Sequence, residues 1–248
     1  MKDTGLLECS SRADMMPVVP LDHPTPDRDH RVYIALTNSC NRSCPWCSTC
    51  SSPAGDAWIA EETFLASLPK DREYQLQLEG GEPTIHPGFW SYVALAREDA
   101  RCTHLVICTN GVVIPRDLRR MQAWIERLGE PLTLKVSINH HLIEHDPGHI
   151  EMTKMLRDLF EELGGCRLLV LNVRLRPGRD SWVREAVEDA GLMHCANIFQ
   201  LQRYGFASGE STWNPPAPVW NAFTLVNPDG RTFGQDLIAR SEGMRELS

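Results

Sequence analysis

The chain has 248 residues, 42% of them hydrophobic and 23% charged, enough to bury the core of one large domain or two small ones. A formal net charge of −8 argues against a nucleic-acid binder that works by neutralising phosphates. No apolar run approaches the roughly 18 residues of a membrane span, residues 168–171 being far too short, and the opening Met1-Lys2-Asp3-Thr4-Gly5 lacks the apolar stretch of a signal peptide. Nine unevenly clustered cysteines do not look like a secreted disulfide framework, so a reducing cytoplasm is the expected compartment.

Residues 1–30 read as an irregular arm, broken by Pro17, Pro20, Pro24 and Pro26 with Asp22, Asp27 and Asp29 among them. From Val32 onward, strand patterns at 32–37, 74–79, 104–109, 132–139, 167–174 and 197–202 alternate with helical patterns at 60–68, 89–98, 116–128, 150–163 and 181–190. Each step of about 30 residues is the length of one βα unit, which predicts a parallel sheet. Strands buried on both faces would be apolar throughout. Here Gln75, Gln77 and Glu79 oppose Leu76 and Leu78, while Thr133, Lys135, Ser137 and Asn139 oppose Leu134, Val136 and Ile138. Asn172 and Arg174 share one face, as do Gln200 and Gln202. Leaving such groups buried without partners costs about 1–3 kcal/mol each, so a curled sheet with a wet, ligand-filled concave side is expected. A sheet open to solvent on one side is the plainer alternative.

The loops that follow the strands carry the chemistry. After the first comes Cys40-Asn41-Arg42-Ser43-Cys44-Pro45-Trp46-Cys47, three thiols at CxxxCxxC spacing. They suit three irons of a [4Fe–4S] cube with one iron left open, a zinc knuckle with Cys50 as fourth thiolate, or a redox CxxC. After the second strand, Glu79-Gly80-Gly81-Glu82-Pro83-Thr84-Ile85-His86-Pro87 has two glycines that let backbone approach closely, and Thr109-Asn110-Gly111 follows the third. Ser137 and Asn139, ending the fourth strand, suit ribose hydroxyls or a carboxylate, or cap the next helix. His140, His141, His145 and His149 lie among Glu144, Asp146, Pro147 and Gly148, a mixture typical of a solvated turn that could also contact substrate or metal.

Taken together, CNRSCPWC, EGGEPTIHP and the third-strand CTNG, in this order, resemble the radical S-adenosylmethionine (radical SAM) superfamily over about residues 31–204. The resemblance implies an α/β fold, a partial (β/α)6 TIM-like barrel, with arm 1–30 before it and residues 205–248 as a C-terminal extension covering it. Cys40, Cys44 and Cys47 would hold a [4Fe–4S] cluster whose free iron takes S-adenosyl-L-methionine. Gly80, Gly81 and Glu82 would hold the methionine amine, and Trp46 would lie near the adenine. Ser137, Asn139 and Arg174 would contact ribose or carboxylate. A flavodoxin or ferredoxin-type donor would supply the electron, and the 5′-deoxyadenosyl radical would take hydrogen from an unactivated C–H bond. The polar strand faces, apart from the resemblance, lead us to expect a polar small molecule of a biosynthetic pathway as substrate.

The segment Ala222-Phe223-Thr224-Leu225-Val226-Asn227-Pro228-Asp229-Gly230-Arg231-Thr232-Phe233 resembles the hairpin of the superfamily's SPASM or twitch extension, with Asp-Gly as its turn. No cysteine follows Cys195, so no auxiliary cluster is expected, and a redox-neutral rearrangement, elimination or epimerisation is the expected outcome. Cys9, Cys50, Cys102, Cys108, Cys166 and Cys195 remain as small core residues, with Cys108 best placed to donate hydrogen to a product radical. Modification of a ribosomally made peptide is a second enzymatic possibility, and an iron–sulfur or zinc binding module the non-enzymatic one.

Overall fold

The computed structural model describes residues 30–216 and 223–247. The arm and Cys9 lie outside those residues, apart from His30, as does Ala222 of the hairpin segment. Seven strands form one sheet: β1 His30–Ala35, β2 Tyr74–Glu79, β3 Cys102–Thr109, β4 Leu132–Ile138, β5 Arg167–Leu175, β6 Ala196–Gln200 and β7 Phe223–Val226. Their order is β6-β5-β4-β3-β2-β1-β7, and every adjacent pair is parallel. The sheet curls into a half-barrel, as the period-2 patterning requires. Val32, Ile34, Leu76, Leu78, Leu105, Ile107, Leu134, Val136, Leu171 and Val173 form the apolar convex face.

α1 Glu61–Ser67, α2 Phe89–Glu98, α3 Leu118–Leu128, α5 His149–Leu163 and α6 Ser181–Asp189 cover that face, while α4 His140–His145 and α7 Leu237–Arg245 contribute residues to the concave side. In α3, Met121, Ile125 and Leu128 are buried at helical spacing; Asp117 caps the start and Gly129, with φ +73°, follows the end. Burying the apolar residues of both layers supplies the main driving force of the fold.

Two elements differ from the sequence expectation. The C-terminal hairpin forms, with Asn227 accepting from Gly230 and donating to Arg231 across the Asp-Gly turn. Its first arm, β7, joins the sheet by pairing with the free edge of β1, so the half-barrel has seven strands instead of six. The histidine-rich stretch is helical, and His140 and His149 are buried. The ring of His140 packs 4.3 Å from Trp46, and Nε2 of His149 bonds the Ser137 carbonyl oxygen at 2.8 Å. Apolar surroundings from distant elements drew both rings inward, against the solvated turn that composition suggested.

Candidate active site

The concave side holds a cavity of about 370 Å³ at the strand C-termini. Cys40, Cys44 and Cys47 share its wall with Gly80 and Gly81, and Ser137, Asn139 and Arg174 with Trp46 and Cys108 complete the set of expected residues that meet there. Two others do not. Neither Cys50 nor Glu82 lines the cavity, and none of the four histidines of the 140–149 stretch does.

The cysteine loop is held from three sides. At its base, Cys40 donates its N–H to Ser52 and Asn38 to Ala57, at 3.0 and 3.2 Å. Above, the 3-10 turn Gly205–Gly209 donates Phe206 N–H to the Cys47 carbonyl at 3.0 Å. From the C-terminal side, Ser241 on α7 donates to the Ser48 carbonyl at 2.6 Å and lies 3.8 Å from the Cys50 sulfur. Cys50 thus faces α7. Donors surround the remaining sulfurs: Asn110 Nδ2 lies 3.6 Å from Cys40 Sγ, Ser51 N–H 3.4 Å and Thr49 Oγ1 3.3 Å from Cys47 Sγ. Burial, with Glu82 and the neighbouring thiols, pushes Cys40 up to about 12, and burial does the same to Cys44.

The Gly-Gly turn docks against this loop. Gly81 donates its N–H to Thr37 at 2.7 Å and Glu82 to Ser39 at 2.9 Å, so the turn extends the β1–β2 pairing past the strand ends. A Cβ on Gly81 would meet the Ser39 carbonyl oxygen at 2.0 Å, and Gly80 sits at φ +132°. The close approach that glycine permits here is to the cysteine loop itself. Glu82 is fully buried. Oε1 accepts from Thr84 N–H, Thr84 Oγ1 and Thr109 Oγ1 at 3.2, 2.6 and 2.8 Å, and Oε2 accepts from Asn110 N–H at 2.7 Å. Burial pushes its carboxyl above the ordinary range, against the pull of those four donors. The side chain expected beside the methionine amine instead ties the second-strand loop to the third. Asn110, whose amide also reaches Asn41 Oδ1 at 2.7 Å, carries the tie on to the cysteine loop. In the sequence Asn110 is marked by a turn signal and by the CTNG motif, neither of which assigns it this role.

Trp46 is buried against Leu201 and Ala207, with His141 edge-on at 5.9 Å and the Arg176 guanidinium 5.8 Å from its ring. Asn139 caps α4, accepting from Leu142 N–H at 3.0 Å, and still borders the cavity. Arg174 donates to Ser137 Oγ at 3.3 Å and lies over Phe199. Deeper in the lumen, Lys135 Nζ donates to Gln77 Oε1 at 2.9 Å, Gln77 to Glu79 at 2.5 Å, and Arg240 from α7 pairs with Glu79 at 2.8 Å. Burial lowers the Lys135 ammonium and raises the Cys108 thiol to about 11.

The floor is closed by Arg31 on Gln75 and by His104 Nε2 against Thr133 Oγ1 at 2.8 Å. Burial, with Arg31, Arg97 and Lys135 nearby, holds His104 down at about 4. The folded state therefore prefers the neutral ring, and the stability this contributes is complete above the ordinary value near 6.5 and is lost as pH falls towards 4. Lowering the pH to 5 is expected to cost the wild type about 2 kcal/mol more than His104→Gln, measured by urea unfolding at pH 7.5 and pH 5. Equal acid sensitivity of the two proteins would refute this assignment.

No protein-family model matches the chain. A curated relative, the GTP 3′,8-cyclase of Chlorobaculum tepidum, is 29% identical over 90 residues, 35% of this chain. The chain spans 27% of that relative's length. Among solved structures, Streptococcus suis SuiB bound to precursor peptide SuiA superposes with a TM-score of 0.58 at 11% identity, covering 83% of this chain and 59% of SuiB. BtrN in complex with AdoMet and 2-DOIA gives a TM-score of 0.46 at 13% identity, over 87% of this chain and 76% of BtrN. Among the described residues no helix is long and apolar enough to cross a membrane. The three thiols, the Gly-Gly turn and the third-strand Asn-Gly, whose sequence motifs resemble those of the radical SAM superfamily, are gathered at the C-terminal rim of a parallel half-barrel.

Proposed function

We propose that this enzyme cleaves S-adenosylmethionine reductively and takes hydrogen from a polar small-molecule substrate held in the lumen. The observation that carries this is the convergence of Cys40, Cys44 and Cys47 with the Gly80-Gly81 turn on the wall of a cavity that Gln77, Lys135, Asn172 and Arg174 also line. The donor set fits a [4Fe–4S] cluster. Among the described residues no three His, Cys, Asp or Glu side chains converge closely enough to share one metal ion, and a cube, in which each thiolate holds its own iron, does not require that. The donors on Cys40 and Cys47 favour thiolates, and the raised Cys40 and Cys44 thiols keep their protons until a metal displaces them.

When bound, the reduced cluster and S-adenosylmethionine supply a 5′-deoxyadenosyl radical able to take hydrogen from an unactivated C–H bond. The protein's part is to position and to shield. Gly80 and Gly81 bring backbone to the cysteine loop where the methionine amine would sit. Trp46 would lie near the adenine, and Ser137, Asn139 and Arg174, which line the same cavity, would contact ribose or carboxylate. Cys108, its thiol kept protonated by burial, would return hydrogen to a product radical, and one electron from the external donor with a proton would restore the resulting thiyl radical to the thiol. A volume near 370 Å³ suits a small molecule. A redox-neutral rearrangement, elimination or epimerisation is proposed, with a flavodoxin or ferredoxin-type donor in a reducing cytoplasm.

The test is anaerobic reconstitution with iron and sulfide, followed by dithionite and S-adenosylmethionine. Release of 5′-deoxyadenosine is expected. A protein-capped metal whose spectra ignore the cosubstrate would refute the proposal and favour a binding module.

A further inference from the structure

Arg42, Lys135, Arg174 and Arg240 line the cavity, and among the described residues Glu79 is the single carboxylate on its wall. Glu79 is already engaged, with Arg240 on one oxygen and Gln77 on the other. Among the described residues neither Lys135 nor Arg174 has a carboxylate partner, and one terminal nitrogen of the buried Arg240 has no hydrogen-bond partner. Arg42 and Arg174 lie towards the cofactor side, the first in the cysteine loop and the second beside Ser137. Lys135, on β4 two residues before Ser137, and Arg240, on α7, are joined through Gln77 and Glu79.

The cofactors do not offset this excess of positive charge. A resting cube with its three thiolates carries one net negative charge, and S-adenosylmethionine carries one net positive charge. Cations kept from water without counter-charges are costly, and a cavity of one sign selects a ligand of the other.

We infer that the substrate is an anion, carrying a carboxylate or phosphate group that Lys135 and Arg240 receive in the lumen. This rests on the enzyme reading above and narrows its substrate class.

The test uses cluster-loaded protein with S-adenosylmethionine and no reductant, so that binding is read without turnover. Inorganic phosphate and succinate are titrated separately, following the thermal midpoint. A saturable rise with either probe is expected; phosphate alone identifies a phosphate ester and succinate alone a carboxylic acid. Lys135→Met and Lys135→Gln, the latter retaining a donor for Gln77, should weaken it at least tenfold, and Lys135→Arg should restore it. The inference is overturned if neither probe binds, if the neutral variants bind as well as wild type, or if added S-adenosylmethionine displaces the anion, which would give these cations to the cosubstrate's own carboxylate. Release of 5′-deoxyadenosine remains an independent measurement. Release without anion binding refutes this inference alone, whereas absence of release refutes the enzyme reading.

Discussion

Alanine at Cys44 is expected to remove the cluster and with it 5′-deoxyadenosine release, while alanine at Cys50 leaves both largely intact. Substituting a residue that merely supports a metal ligand costs about 10–100-fold, so loss of one of only three ligands should exceed 100-fold. Cys50 makes no such contribution, because its sulfur faces Ser241 on α7 and its side chain is off the cavity wall. Its substitution should cost only about 1 kcal/mol of stability, the typical effect of a single substitution. Iron and sulfide content per chain, the cluster's visible absorbance and chromatographic quantification of 5′-deoxyadenosine decide the matter. Equal losses in the two variants would mean that four thiolates close the metal site.

Glu82→Ala is expected to be among the most destabilising single changes in the chain. It strips the acceptor from two N–H groups and two hydroxyls in a site without water access, a cost of about 3–5 kcal/mol. For a domain of this size the unfolding midpoint should fall by roughly 10 °C. Glu82→Gln keeps the shape and one acceptor oxygen but turns an N–H₂ towards donors, so about 1–2 kcal/mol is expected. Calorimetric unfolding of the three proteins tests the order. Because the same carboxylate positions Asn110 against Cys40, the alanine variant should also load less iron. A midpoint within about 2 °C of wild type would show that Glu82 does not hold the two loops together.

The lumen and the three-thiol loop were legible from local pattern. Alternation such as Gln75-Leu76-Gln77-Leu78-Glu79 has only one arrangement on a pleated strand, with amides on one face and leucines on the other. CxxxCxxC confines three thiols to one loop whatever the rest of the chain does. The cavity's other contributors were less visible. Asn110 meets the Cys40 sulfur across 70 residues, and Ser241 reaches the Ser48 carbonyl across 193. No periodicity encodes a contact of that kind. The histidine stretch was misjudged for the same reason, since the surface that buries His140 is Trp46, supplied by a loop from the other side of the barrel.

By itself, then, the order of residues determined the βα repeat, the polar inner face and the placing of cysteines and glycines at strand ends, because each depends on neighbours a few positions apart. Tertiary structure alone decided that β7 completes the sheet, that Cys50 turns to α7, that Glu82 is consumed as a tie between loops and that Arg240 enters the lumen. Those outcomes depend on which distant groups compete for each acceptor or free strand edge, and that competition exists only once the barrel has closed around them.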